Sequence, residues 1–215
     1  MRALLIICVL CICLALAPTG ASAHQARFVH VEQHDITTIV DPDLSQAFYG
    51  ELTDSPHLFE FHVISTQNIY AEILVPDIGG DMPTISGLIM KVEDRGVTEI
   101  RRLPAKDATW DSFYEWFGGD SYRHGVQFYD SLTPGTYQIE VSTPVNRGKY
   151  VLVVGKREDY SVLSYFQTIR DIAHIKKFFG KSSLAIVETP FVYIPLGLLG
   201  LGIAYRVRKR KIKTQ

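Results

Sequence analysis

The feature that rules out most folds for this chain is an apolar run, residues 184–205 (LAIVETPFVYIPLGLLGLGIAY), followed at once by Arg206, Arg208, Lys209, Arg210, Lys211 and Lys213. A hydrocarbon core about 30 Å thick is crossed by roughly 20 apolar residues, each rising about 1.5 Å. The run is long enough and carries one carboxylate, Glu188, near its start. It predicts one transmembrane helix over residues 184–205. Cations crowd only its C-terminal side, so by the positive-inside rule the tail, residues 206–215, is cytoplasmic and everything earlier faces out. Pro190 and Pro195 would break a short soluble helix, whereas membrane helices tolerate proline where neighbours re-satisfy the freed backbone groups. Gly197, Gly200, Gly202 and Ala204 leave a groove of small residues, and the spacing of Gly200 and Ala204 lets two helices approach. Dimerisation through Gly197, Gly200 and Ala204 is therefore an expectation.

The start of the chain agrees with that topology. Arg2, an apolar stretch over residues 4–16 and the small exit Ala21-Ser22-Ala23 predict a cleavable signal peptide, residues 1–23. Cys8, Cys11 and Cys13 all lie there, and none follows the small residue that a lipoprotein signal needs. The mature protein is then free of cysteine, which excludes disulfides, thiolate nucleophiles and Cys-ligated zinc. Residues 24–183 suffice for one domain of ordinary size, stabilised by its core alone.

Charge separates the two ends. Without Arg2 and the six cations of the tail, 15 Lys and Arg face 23 Asp and Glu, a net charge of −8. So acidic an outer part is a poor partner for nucleic acid or an anionic bilayer, while the tail suits anionic cytoplasmic lipid. Lys211 and Lys213 also resemble the KxKxx retrieval signal of endoplasmic reticulum membrane proteins, although a stop-transfer tail explains the same residues. The expected location is a single-pass membrane protein of the cell surface, or of the endoplasmic reticulum in a eukaryotic host.

Between signal and anchor the chain is mostly short runs at strand period. In residues 57–64 (HLFEFHVI), Phe59, Phe61 and Val63 alternate with Leu58, Glu60, His62 and Ile64, so the aromatic face is the buried one. Residues 68–75 follow after a short turn. Residues 86–93 and 97–103 form a pair through Asp94-Arg95-Gly96, and the clearest hairpin joins 135–142 to 149–154 across a loop. The second arm of that hairpin, KYVLVV, is apolar on both faces and predicts a central strand. Many short strands without a long amphipathic helix among them predict an antiparallel β-sandwich, residues 24–158. Residues 159–183 differ. Val162, Phe166, Ile169, Ile172, Ala173, Lys176 and Phe179 trace one helical face, which predicts a juxtamembrane amphipathic helix.

Two resemblances attach to these strands. Leu132-Thr133-Pro134-Gly135-Thr136-Tyr137-Gln138-Ile139-Glu140-Val141 with Gly148-Lys149-Tyr150-Val151-Leu152-Val153-Val154-Gly155 resembles the closing strands of bacterial pre-peptidase C-terminal domains, and residues 68–75 resemble an earlier strand of them. That likeness implies a jelly-roll sandwich similar to galactose-binding-like domains, with a binding or accessory role and no catalytic residues. The whole outer part also resembles a group of single-pass membrane proteins carrying W-x-x-F-Y-E-x-F-G-G-D-S-Y. Here the motif reads Trp110, Phe113, Tyr114, Glu115, Phe117, Gly118, Gly119, Asp120, Ser121 and Tyr122.

The candidate sites follow from composition. In residues 110–122, Trp110, Tyr114, Trp116 and Tyr122 share space with Asp111, Glu115 and Asp120. Aromatic planes among carboxylates recognise a glycan or an extended peptide of a protein partner. The same carboxylates, with Asp107, also suit calcium, and packing that closes one end of the sandwich is the third reading. Cleavage after Ala23 would make His24 a terminal amine plus imidazole, the start of a copper-binding histidine brace, with His30, His34, His57 and His62 as further ligands. Catalytic motifs of the GxSxG, HExxH and GxxxxGK[ST] kinds are absent from the sequence. Three functions remain open: a membrane-tethered binding module, a copper-binding redox or carrier protein, and a structural subunit of a membrane complex.

Overall fold

The computed structural model describes residues 24–29, 35–80, 83–115, 118–158 and 162–213. The expected signal peptide, His30, His34 and Trp116 lie outside the described residues. Within them the chain forms β1 (Gln25–Phe28), β2 (Ile36–Ile39), β3 (Gln46–Thr53), β4 (His57–Val63), β5 (Gln67–Pro76), β6 (Ser86–Glu93), β7 (Gly96–Leu103), β8 (Ser112–Glu115), β9 (Asp120–Leu132), β10 (Gly135–Ser142) and β11 (Arg147–Val154). Helix α1 (Val162–Phe178), a 3-10 segment (Ser183–Glu188) and helix α2 (Pro190–Lys213) complete it.

The strands make a six-stranded sheet, β1-β3-β11-β5-β9-β8, and a five-stranded sheet, β2-β4-β10-β6-β7. Their facing sides meet in one core, where Phe59 and Phe61 of β4 and Ile139 and Val141 of β10 lie against Phe48, Ile73, Leu152 and Val154. Alternation in β4 buries the aromatic face, as its period requires.

Both sheets are mixed, which corrects the expectation of a wholly antiparallel sandwich. β1 runs parallel to β3, and β2 parallel to β4. The chain crosses from the edge of one sheet to the edge of the other and back between β1, β2 and β3, so parallel edge strands are added without a helical crossover. A second correction concerns the expected hairpin of 135–142 with 149–154. β10 pairs with β4 and β6, while β11 pairs with β3 and β5 in the opposite sheet. Their connection is an arch fastened by the Asn146 side-chain oxygen, which accepts from Thr143 N at 3.2 Å. The reason lies in β11 itself. Tyr150, Leu152 and Val154 join the core, while Val151 and Val153 point the other way and need a second apolar layer. The β6–β7 hairpin forms as expected, turning at Gly96 with φ +115°.

α1 supplies that second layer. Ile175 and Phe179 pack on Ala47, Tyr49, Leu74, Tyr122, Val151 and Val153, and Ile172 is fully buried beside them. Side chains of Val162, Phe166 and Ile169 lie outside the described ones. α1 ends at Phe178, and Gly180 just beyond it has a φ of +72° that suits a left-handed helix stop, with Lys181 N donating to Lys176 O at 2.8 Å.

Pro190 opens α2 where its missing N–H costs nothing, and Thr189 O accepts from Val192 N and Tyr193 N at 2.9 and 3.0 Å. Leu196, Leu199, Leu201 and Ile203 on α2 are each more than half exposed. Open space surrounds Gly197, Gly200 and Gly202. Among the described residues no helix is long and apolar enough to cross a membrane.

Candidate functional site

The described residues of the aromatic-acidic segment, 110–115 and 118–122, form the outer edge of the six-stranded sheet and the joint to the C-terminal helices. Trp110 turns into the inter-sheet core with a left-handed backbone (φ +57°) and donates its indole N–H to Ala105 O at 3.0 Å. Asp111 stays exposed and accepts the Thr109 hydroxyl at 2.5 Å. Among the described residues β8 has β9 as its one sheet neighbour and stands at the end of the strand order. Tyr114 on that strand is 45% exposed. Partial burial, and after it the nearby Asp120 carboxylate, hold the Tyr114 phenol above its ordinary pKa. The β8–β9 turn is closed by Glu115, whose carboxylate accepts Gly118 N at 2.6 Å and whose carbonyl accepts Gly119 N at 2.9 Å.

Asp120 and Tyr122 face α1. Both are almost fully buried. Lys176 of α1, also buried, donates to Asp120 Oδ2 at 3.0 Å and to Gly119 O at 2.9 Å, while Lys181 donates to Asp120 Oδ1 at 2.6 Å. Hydrogen bonds of this kind are what make a buried charge pair tolerable. Tyr122 and Tyr49 share a hydroxyl contact of 3.1 Å, and burial is the main cause that raises both phenols above their usual range. Phe113 stacks on Tyr122 at 5.7 Å, and Phe179 meets its ring edge-on at 5.1 Å. Within the segment the structure therefore gathers Glu115, Asp120 and Tyr122 at the joint, turns Trp110 inward, and leaves Asp111 and Tyr114 outward. A calcium ion at Asp120 would have to displace two ammonium groups.

Of the expected histidine ligands, the three that are described stand in separate places. His24, just before β1, is hydrogen-bonded through Nδ1 to Ser45 Oγ, and burial lowers its pKa against an opposing pull from Glu72. His57 is buried, with its Nδ1 2.6 Å from the Tyr150 hydroxyl. On the outer side of the five-stranded sheet His62 Nδ1 lies 3.0 Å from Thr136 Oγ1. Among the described residues no group of three or more His, Cys, Asp or Glu is placed to hold a metal ion.

One cluster escaped the sequence reading. Glu72, only 4% exposed, accepts from His124 Nδ1 at 2.7 Å, Gln127 Nε2 at 3.1 Å and the Tyr70 hydroxyl at 2.6 Å. It sits where a bulge breaks the β5–β9 register between Glu72 and Leu74. Phe113 stacks on the His124 ring at 4.0 Å, and the Lys156 ammonium lies over the Tyr70 and Tyr129 rings at 4.4 and 4.5 Å. The signal was present as a lone carboxylate inside the apolar run NIYAEILV. Every oxygen of Glu72 is engaged, so the cluster serves first to satisfy a buried charge.

No protein-family model and no curated protein matches the chain. Among solved structures, the pre-peptidase C-terminal domain of a collagenase from Bacillus anthracis overlaps 59% of this chain and 98% of its own, at 13% identity and a TM-score of 0.36. A periplasmic inhibitor of g-type lysozyme from Aeromonas hydrophila overlaps 56% of this chain and 96% of its own, at 16% identity and a TM-score of 0.35. The copper-binding surface-associated protein of Methylomicrobium album BG8 overlaps 62% and 87%, at 11% identity and a TM-score of 0.21. At these distances the fold rests on the strand pairing itself, a mainly β sandwich of two mixed sheets with a helix on one outer face.

Proposed function

We propose that this chain is a non-enzymatic binding module held at a membrane by α2, with the sandwich on the extracytoplasmic side and the basic C-terminal end in the cytoplasm. The observation that carries the reading is the outward display of Leu196, Leu199, Leu201 and Ile203 on α2, with Arg206, Arg208 and Lys209 in its last turns. Each such side chain gains about 1.5–3 kcal/mol on leaving water, and the apolar part of α2 ahead of Arg206, residues 190–205, rises about 24 Å, a few Å short of a hydrocarbon core, a gap that Arg206 and Arg208 close by reaching to the headgroups. A bilayer takes up this surface, and the cations at its C-terminal end set the orientation.

The contact surface is the outer side of β8. Asp111, Ser112 and Tyr114 are exposed there, on a strand whose one sheet neighbour among the described residues is β9. An edge of that kind accepts a strand from a protein partner, and Trp110, Asp120 and Tyr122 hold it in place from within. Photo-crosslinking tests the assignment, with a benzophenone amino acid at position 114 and, as control, at position 62, in the full chain in its own membrane. A discrete adduct at 114 that is missing at 62 and lost when Asp111 is changed to Lys is the expected result. Equal labelling at both positions, or none at 114, overturns it.

A further inference from the structure

We propose that the 3-10 segment and the first turns of α2 seat the sandwich directly on the bilayer surface, with the β8–β9 turn at the level of the lipid headgroups. This rests on the membrane reading of α2 and adds the orientation of the binding module to it.

The link between sandwich and α2 is short and fastened along its length. Lys149 Nζ donates to Phe178 O at 2.7 Å at the end of α1, and Lys181 holds Asp120 at 2.6 Å just after it. Ser182 caps the 3-10 segment by accepting Leu184 N at 3.2 Å. Thr189, fully buried, donates its hydroxyl to Ile186 O at 2.7 Å. Its Cγ2 lies 3.4 Å from where a Cβ on Gly119 would stand, so the residue that precedes α2 touches the β8–β9 turn. A chain pinned at Phe178, Lys181 and Thr189 holds no free linker that would let the sandwich stand off from the membrane.

Around this joint the apolar side chains point to water. Leu184 is 78% exposed, Val187 52% and Tyr193 46%. They continue the exposed apolar surface of α2 up to the edge of the sandwich, and it is this continuity that identifies the occupant as lipid. Tyr193 near the start of a membrane helix also suits the interfacial level, where an amphipathic ring has one end dry and one end wet. Seated in this way, β8 presents its outer side along the membrane. Its protein partner is then one that itself lies at the membrane surface.

Depth-resolved quenching tests the seating on the full chain in vesicles of phosphatidylcholine and phosphatidylglycerol. Single substitutions L184C, V187C, L199C and H62C carry an environment-sensitive fluorophore, each at an exposed position, with nitroxides placed on the lipid either at the headgroup or deep in the acyl chain. The expected result is loss of emission at 199 with the deep nitroxide, loss at 184 and 187 with the headgroup nitroxide, and none at 62. Quenching at 199 with 184 and 187 as bright as 62 overturns the seating and leaves the tether standing. Emission at 199 that neither nitroxide lowers overturns the tether, and the seating falls with it.

Discussion

Between the two sheets, Phe59, Phe61, Ile139 and Val141 meet Phe48, Ile73, Leu152 and Val154, apolar side chains that ask only for the exclusion of water. Beneath α1 the six-stranded sheet offers Val151 and Val153 too, but with them Tyr49 and Tyr122, whose hydroxyls meet at 3.1 Å, and Asp120, whose charge is answered by Lys176 at 3.0 Å. The first layer is held by a non-directional force, which tolerates exchange of similar side chains. The second adds directional pairs, which fix where along the sheet the helix can sit. Its net stabilisation is smaller, because desolvating two charges offsets much of their attraction.

The largest expected effect is therefore in the first layer. Phe59→Ala removes a fully buried ring in edge contact with Phe48 at 5.4 Å. We expect a loss of about 3–5 kcal/mol, read as a lower denaturant midpoint with an unchanged slope. A loss below about 1 kcal/mol would mean that this core refills the cavity, and the contrast between the layers would shrink. In the second layer, Asp120→Asn strands Lys176 in the interior and should cost about 3 kcal/mol. Adding Lys176→Met to that variant should restore most of the stability, while trypsin cuts more readily at exposed Lys177 of α1. Full recovery without faster cleavage would show that apolar packing alone sets the helix position.

The same contrast decides what the sequence could disclose. Alternation in β4 and β10, the two-sided apolarity of β11 and the β6–β7 turn are local patterns, and each strand forms where its pattern lies. Which sheet a strand joins is not local. The loop between β10 and β11 serves an arch as well as a hairpin, and the parallel edges β1 and β2 depend on strands reached only after a crossing between sheets. Lys176 was legible as part of the buried face of α1, but its partner, Asp120, comes 56 residues earlier. Periodicity carries no record of such a pairing. For the same reason Trp110 and Tyr122, which composition alone offers equally to a ligand or to the core, are found buried, while Asp111 and Tyr114 of the same segment remain outside. Glu72 shows the converse: a charge within an apolar strand marks a network, though its donors His124 and Gln127 are distant in sequence.

The smallest effect is a difference in pH response between the layers. His57, between the sheets, has its pKa lowered from about 6.5 by burial beside Tyr150. Above that value the ring is neutral in both states and its contribution is complete. As pH falls through it, the unfolded chain takes up a proton that the folded one refuses, so stability is lost until the folded pKa is reached. The tyrosine pair under α1 does not titrate in this window, because burial has moved both phenols further from it. His57→Gln should accordingly flatten the dependence of the denaturant midpoint between about pH 7 and pH 5 by up to one proton. Its absolute stability falls as well, through the altered contact with Tyr150, so only the slope is diagnostic. His24 shifts in the same direction by burial at β1 and contributes to the slope in both proteins, which is why the two are compared rather than the parent alone. Identical slopes would place the acid-sensitive group outside the inter-sheet core, and the division between an apolar layer with one titrating intruder and a polar-keyed layer would have to be redrawn.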